Sequence, residues 1–487
     1  MAIIILILTI SVCFGMLGYW YSRNSISNVQ EYIVVRNSIG SGLSIATFVA
    51  TGIGAWILFA PTETAINFGL VALFGYAIGG ASPLIAFWFL GPKLRSLMPN
   101  GNTLAEYVSK RFGGKAKILI LAVMVFYMFV FLAAELTAVG QTVRLIAPDI
   151  SMILIVSIVG LVTTAYTSYG GLRASIFTDG IQFLIILPLI VLLFLATVYV
   201  LGGPADIINE VRVNAPDKLD LGNSTGIATA VSLIIAVLAA NLFHQGYWQR
   251  IFSAADDASL KKSLTVSSII VIPIVLMAGS FGLIALTDSE AFAGIPAIAM
   301  FEIVGSKLPD LVGILIIVLV IALVMSSMDT LLNGIASLLI YEISDMSRST
   351  QVLTTSRALT FLLLIPAIII ASREFSVLYM FFIADLVAAG FIYPVFRGMY
   401  SKLTRGWMVI SSGFLGIVVS LIFFPKSDWS GVVFQIPSLN TSPSLMNSFL
   451  SCLLISVFTI LVLEYIGKRY SKSADYDFDD LKRIDRD

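Results

Sequence analysis

The residues able to do chemistry in this sequence are few, and most of them offer only oxygen. In the apolar stretch LVMSSMDTLLNG, Ser326, Asp329 and Thr330 stand at i, i+3 and i+4, so on a helix their oxygens face one way. Clustered oxygens without nitrogen or sulfur ligands suit a hard alkali cation better than a transition metal. A buried hydroxyl pair such as Ser326 and Ser327 has a plainer alternative, bonding back to carbonyls of its own helix. Glu63, Glu135, Asp179, His244 and Asp385 also fall in apolar stretches, where an ionisable group is costly and tends to serve function. Asp179, in YGGLRASIFTDGIQ, has the competing reading of a helix-end carboxylate near Arg173. Glu135, in FLAAELTAVGQ, reads as a buttress that hydrogen-bonds a neighbouring helix, and it is left out of the site. His244 is the single histidine. An imidazole beside a cavity can donate to a carbonyl or carboxylate, and one at a helix end can equally be satisfied locally. One histidine and two cysteines cannot supply a haem pair, a zinc cluster or an iron–sulfur centre. No nucleophile–base set is present either, so neither an enzyme nor a resident cofactor is expected. Cys13 and Cys452 are expected to be buried free thiols.

The elements that must position these residues are set by composition. Of 487 residues, 58% are hydrophobic and 12% charged. Soluble chains carry about 25% charged residues, so an ordinary cytoplasmic enzyme, a nucleic-acid binder and a disordered scaffold are excluded. The expectation is an all-α polytopic membrane protein with about 13 transmembrane helices. Apolar segments lie near 2–21, 41–67, 69–91, 117–143, 150–169, 175–201, 225–245, 263–286, 311–341, 355–372, 375–396, 406–424 and 445–466. The first has no basic residue before it and reads as a retained helix rather than a cleaved signal. If the loop after it is cytoplasmic, that side collects 23 of the 29 basic residues and leaves six outside. That asymmetry places the N-terminus outside and the C-terminus in the cytoplasm. Short loops favour a bacterial inner membrane.

Two spans look interrupted, one by TGIG at 51–54 and one by NLFHQG at 241–246. They are the second and seventh segments, five places apart, as expected for two five-helix units of inverted topology. Polar residues and glycine at such breaks free backbone groups that ions, substrate or protein must satisfy. The expected organisation is a first helix and loop over 1–40, one repeat over 41–201 and its counterpart over 225–397. Two peripheral helices follow over 398–466, then a tail over 467–487 too short for a signalling domain.

ATGIGAW, YGGLRASIFTDGIQ and the SSMDT segment with its following NGIAS together resemble the sodium/solute symporter family, across residues 1–470. The resemblance implies an inverted-repeat core, an outward N-terminus and sodium as coupling ion. It implies a sodium site built from the carbonyls of Ala50, Ile53 and Leu323 and the hydroxyls of Ser326 and Ser327. The position of Leu323 is often alanine, which a carbonyl ligand does not mind. Some members hold a second cation nearer the cytoplasm, at positions matching Asp179, Ser326, Asp329 and Thr330. Here Asp329 replaces a usual serine, which leaves stoichiometry open. Substrate contacts would come from Thr51, Gly52 and Trp56 on the first break and Asn241, His244 and Gln245 on the second, although Trp56 could equally be packing. YWQR in GYWQRIFSAADDASLKKS is nearer the urea-type branch. The proline and other amino-acid branches stay open, because no anionic or cationic recognition pattern stands out. The implied activity is sodium-coupled inward symport of a small polar organic solute by alternating access. Its partners are the solute, sodium and the bilayer, with no nucleic acid and no obligatory protein. The alternatives are a proton-coupled symporter using Asp179 or Asp329, and a transporter-like nutrient sensor.

Overall fold

Long runs of Leu, Ile, Val and Phe leave a backbone that, in lipid, satisfies its own hydrogen bonds as helix. The computed structural model describes residues 2–23, 32–287, 295–309, 311–343, 349–373, 375–436, 438, 441–470 and 475–482, and among these it contains helices and no strand. In chain order the helices are α1 (Ala2–Ser22), α2 (Ser41–Gly52), α3 (Ala60–Leu97), α4 (Leu104–Phe112) and α5 (Gly114–Ile146). There follow α6 (Met152–Val200), α7 (Pro204–Asn214), α8 (Ser224–Leu242), α9 (Gln245–Ser253), α10 (Asp257–Ala285) and α11 (Ala299–Lys307). The last are α12 (Leu311–Ile343), α13 (Ser349–Ala371), α14 (Val377–Arg397), α15 (Gly406–Ser420) and α16 (Leu445–Tyr470). Among the described residues, nine helices are long and apolar enough to cross a membrane, and three shorter apolar ones accompany them.

Two long helices account for more than one expected segment each. The 49 residues of α6 include Gly171 at φ 53°, and α3 includes Gly69 at φ 83°. Both angles are left-handed, which only glycine adopts without strain. At about 1.5 Å per residue, α6 is long enough to cross a 30 Å hydrocarbon layer twice, once on each side of its bend. The expected segments 150–169 and 175–201 are its two halves.

The short helices α4, α7, α9 and α11 were not among the expected segments, because hydropathy does not register elements this brief. α4 did carry a signal in the order of its residues. Thr103 accepts from the Glu106 N–H at 3.1 Å, and the Glu106 carboxylate accepts from the Asn102 N–H at 2.8 Å. That near-capping box is written as NTLAE.

Two expectations need correcting. Cys452 is buried, but Cys13 is exposed. The face of α1 that packs inward carries Ile7, Ser11, Phe14, Gly15, Gly18 and Ser22, and Cys13 lies off it. Arg250, one of the 23 basic residues that the expected topology assigns to the cytoplasmic side, is 1% exposed in the protein interior. The tally of positive charge on that side therefore drops by one without changing its sense. The interior is organised around α12, which packs against α5, α6 and α13 and also meets α2 and α9.

Candidate functional site

Both expected breaks are real. α2 stops at Gly52, Ile53 is extended at φ −108° and ψ 95°, and a single 3₁₀ turn over Ala55–Leu58 leads into α3. α8 stops at Leu242, and α9 restarts at Gln245. A break exposes amides that a continuous helix would have paired. At the first break Glu135 of α5 takes them up. Its carboxylate accepts from the Ala55 N–H at 2.8 Å and the Trp56 N–H at 3.4 Å, and also from the Ser327 hydroxyl at 2.7 Å. Sequence reasoning left Glu135 out of the site; the structure makes it the link between the break and α12. A Cβ on Gly54 would overlap that carboxylate. Gly54→Ala is therefore expected to cost about 1–3 kcal/mol, the range for overpacking, read as a lower unfolding midpoint in detergent.

The residues expected to hold sodium lie where α2 and α12 meet. The Ser326 hydroxyl is 3.4 Å from the Ala50 carbonyl and donates to Asp179 Oδ1 at 2.6 Å. The Ser327 hydroxyl is 2.9 Å from the Leu323 carbonyl. Ile53 is the first residue beyond the end of α2. The helix-internal alternative describes part of this geometry, since Ser327 does approach its own i−4 carbonyl, but each serine also reaches a carboxylate from another helix.

Nearby, the positions expected to hold a second cation surround a guanidinium. Arg250 of α9 reaches Asp179 Oδ2 at 2.6 Å, Thr330 Oγ1 at 2.7 Å, Thr47 Oγ1 at 2.6 Å, Ser175 Oγ at 3.2 Å and the Gly246 carbonyl at 3.1 Å. Thr47 in turn donates to Asp179 at 2.5 Å. Asp329 accepts from Tyr166 and Ser175 at 2.7 Å each, from Thr178 at 3.1 Å and from Thr330 at 3.3 Å. Asp179, Asp329, Thr330 and Arg250 are all buried, so their charges meet with little water between them. The available signal for Arg250 was its place five residues after the restart at Gln245, in the amphipathic segment QGYWQRIFS.

A cleft lies beside the two breaks. Gly52, Trp56 and Asn241 line it, together with Tyr127 and Phe131 of α5 and Phe381 and Asp385 of α14. The remaining expected substrate residues sit elsewhere. The Thr51 hydroxyl is buried without a hydrogen-bond partner. Gln245 is tied into the 102–104 segment, donating to the Asn102 carbonyl at 3.1 Å and accepting from the Leu104 N–H at 3.3 Å. His244 caps α9, its Nδ1 accepting from the Gly246 N–H at 3.1 Å. Its ring stands edge-on to Tyr127 and Phe131 with centroids 6.0 and 5.9 Å away, so it backs the cleft wall.

The chain is similar to known proteins in sequence and in fold. The model of the sodium:solute symporter family matches residues 32–405. The chain is 27% identical over 394 residues to a spermidine transporter of Candida albicans, covering 80% of this chain and 74% of that one. It is 28% identical to a urea active transporter of Saccharomyces cerevisiae over 49% of this chain and 34% of the relative. With a high-affinity proline transporter of Bacillus subtilis, it shares 25% identity over 45% of this chain and 47% of the relative. Among solved structures, a substrate-bound, outward-open Na+-coupled sialic acid symporter superposes with a TM-score of 0.75 at 17% identity, over 97% of this chain and 98% of the other. Mhp1, a nucleobase-cation-symport-1 family transporter in a closed conformation, superposes with a TM-score of 0.59 at 12% identity, over 91% and 97% of the two chains.

Proposed function

The chain belongs to the sodium:solute symporter family, and from that premise we propose that it carries a small polar organic solute inward with one sodium ion, by alternating access. The observation that carries this reading is the meeting of the broken helix with α12, where Ser326 stands 3.4 Å from the Ala50 carbonyl. Sodium held by Ala50, Ile53, Leu323, Ser326 and Ser327 would tie the break to α12. Releasing it on the low-sodium side would loosen that contact and open the inner path. Glu135, already bonded to Ser327 and to both freed amides, positions the site from behind. Arg250 supplies a fixed positive charge where a second ion would otherwise sit, which is why we assign one sodium rather than two.

The solute would lie in the adjoining cleft against Gly52, Trp56 and Asn241. His244 shapes its wall, and spermidine, urea and proline, named for three of the similar transporters, are all small polar solutes. Solute and sodium then raise each other's affinity by the same factor. The organisation that fits is an inverted pair of repeats over 41–201 and 225–397, within 13 crossings of a bacterial inner membrane, with the N-terminus outside.

The test is uptake of labelled spermidine, urea and proline into proteoliposomes under an inward sodium gradient with equal pH on both sides. Accumulation of one of them that collapses when potassium replaces sodium is the expected result. Uptake that ignores sodium and follows an imposed pH gradient overturns the coupling. Glu135→Ala is expected to weaken apparent sodium affinity by about 10–100-fold, the usual penalty for losing a group that orients a metal ligand. A sodium titration of uptake reads that change.

A further inference from the structure

Buried carboxylates in this protein have partners, with one exception among the described residues. Glu135 is held by two amides and a hydroxyl, Asp179 by Arg250, Asp329 by hydroxyls, and Glu464 by Arg397 and Thr404. Asp385 is 5% exposed, lines the cleft, and makes no hydrogen bond or ion pair. A buried charge normally finds a partner, because removing it from water without one is costly. The surroundings of Asp385 indicate which partner is missing from the protein's own side chains.

The walls are aromatic. On α14, Phe381 and Phe382 precede Asp385 by four and three residues and so share its face of the helix. Opposite, Trp56 stacks on Tyr76 with centroids 5.4 Å apart and meets Phe381 at 6.5 Å, while Phe131 meets Phe381 edge-on at 5.0 Å. Aromatic faces around a single carboxylate recognise a cation, since ring quadrupoles and the negative charge both favour it. The other polar groups agree. Asn241 donates its amide to the Val237 carbonyl at 2.9 Å, which leaves its oxygen to accept. Among the described residues, no lysine or arginine lines the cleft. A solute with its own carboxylate would bring like charge to Asp385, and a neutral solute would leave that charge unmatched.

We propose that Asp385 is the counter-ion for a primary or secondary ammonium group, so that the solute is a cationic amine rather than a neutral or acidic one. This rests on the symport reading above for its location, and its test separates the two.

Full-length protein in lipid nanodiscs is titrated with labelled putrescine in sodium and in potassium chloride, with butane-1,4-diol as an uncharged competitor of the same length. The expected result is putrescine binding that the diol does not displace. Asp385→Asn should weaken it by on the order of 100-fold or more, as losing one partner of a buried charge pair does. Binding of 22Na+ to the same variant should remain at the wild-type level, which shows that the variant is folded. Wild-type putrescine affinity in Asp385→Asn overturns the proposal. So does binding of labelled urea or proline without binding of putrescine, an outcome that leaves symport standing. Putrescine binding that depends on Asp385 but ignores sodium supports the amine assignment and overturns sodium coupling instead.

Discussion

Arg250→Met is expected to destabilise the protein by about 3–5 kcal/mol, the cost of removing one partner from a buried ion pair. The loss is large because the guanidinium serves five oxygens on different parts of the chain, including Thr47 on α2, Ser175 and Asp179 on α6, and Thr330 on α12. Methionine of similar length fills the space but leaves Asp179 buried without a countercharge. Arg250→Lys keeps the charge and loses the planar fork, so it should fall between wild type and Arg250→Met. The double variant Asp179→Asn/Arg250→Met removes both charges and is expected to recover much of the stability lost by Arg250→Met alone. Unfolding midpoints in detergent for all four proteins check this. A midpoint for Arg250→Met within error of wild type would show that the guanidinium is not the countercharge of this cluster.

Ser326→Ala and Ser327→Ala are each expected to lower apparent sodium affinity by at least about 10-fold, comparable to other losses around metal sites. The two should differ in their side effects. Ser326→Ala also frees Asp179 Oδ1, so it should disturb the Arg250 cluster, whereas Ser327→Ala frees Glu135 and should disturb the first break. At saturating sodium, solute affinity is expected to stay near wild type in both, because neither serine lines the cleft. Sodium activation curves for uptake supply the measurement. If sodium affinity is unchanged in both variants, the ion lies elsewhere.

The all-helical membrane architecture was legible because a charge content of 12% admits little else. Both breaks were legible as well, since TGIG and NLFHQG interrupt otherwise apolar runs. The expected site residues were partly brought together: Ala50 with Ser326, and Gly52, Trp56 and Asn241 along one cleft. Gln245 was a different matter. Its neighbours in sequence belong to the break, but its amide turns to the 102–104 segment, and no local pattern announces a partner some 140 residues away. Glu135, Arg250 and Asp385 were each visible as residues, yet their roles depend on contacts between distant helices. Arg250 was the most misleading, because counting positive charges by loop assigns an arginine near a span end to water. Asp385 was recognised only as an ionisable residue in a span. Its aromatic surroundings come from α3, α5 and α14 and from the turn that holds Trp56, and they converge only in the fold.

On the reading of one sodium per cycle, the tethering of Arg250 also bears on the work the protein can do. A guanidinium anchored to Asp179 remains with the transporter, so it carries no current and draws nothing from the membrane voltage. A mobile ion in its place would add about 2.3 kcal/mol per 100 mV on each inward passage. On that reading the chain would forgo that share of the driving force, and a cationic solute would restore it by bringing its own charge into the field. Concentrating power would then rise with the number of ammonium groups on the cargo, and a diamine would be accumulated more steeply than a monoamine at the same voltage.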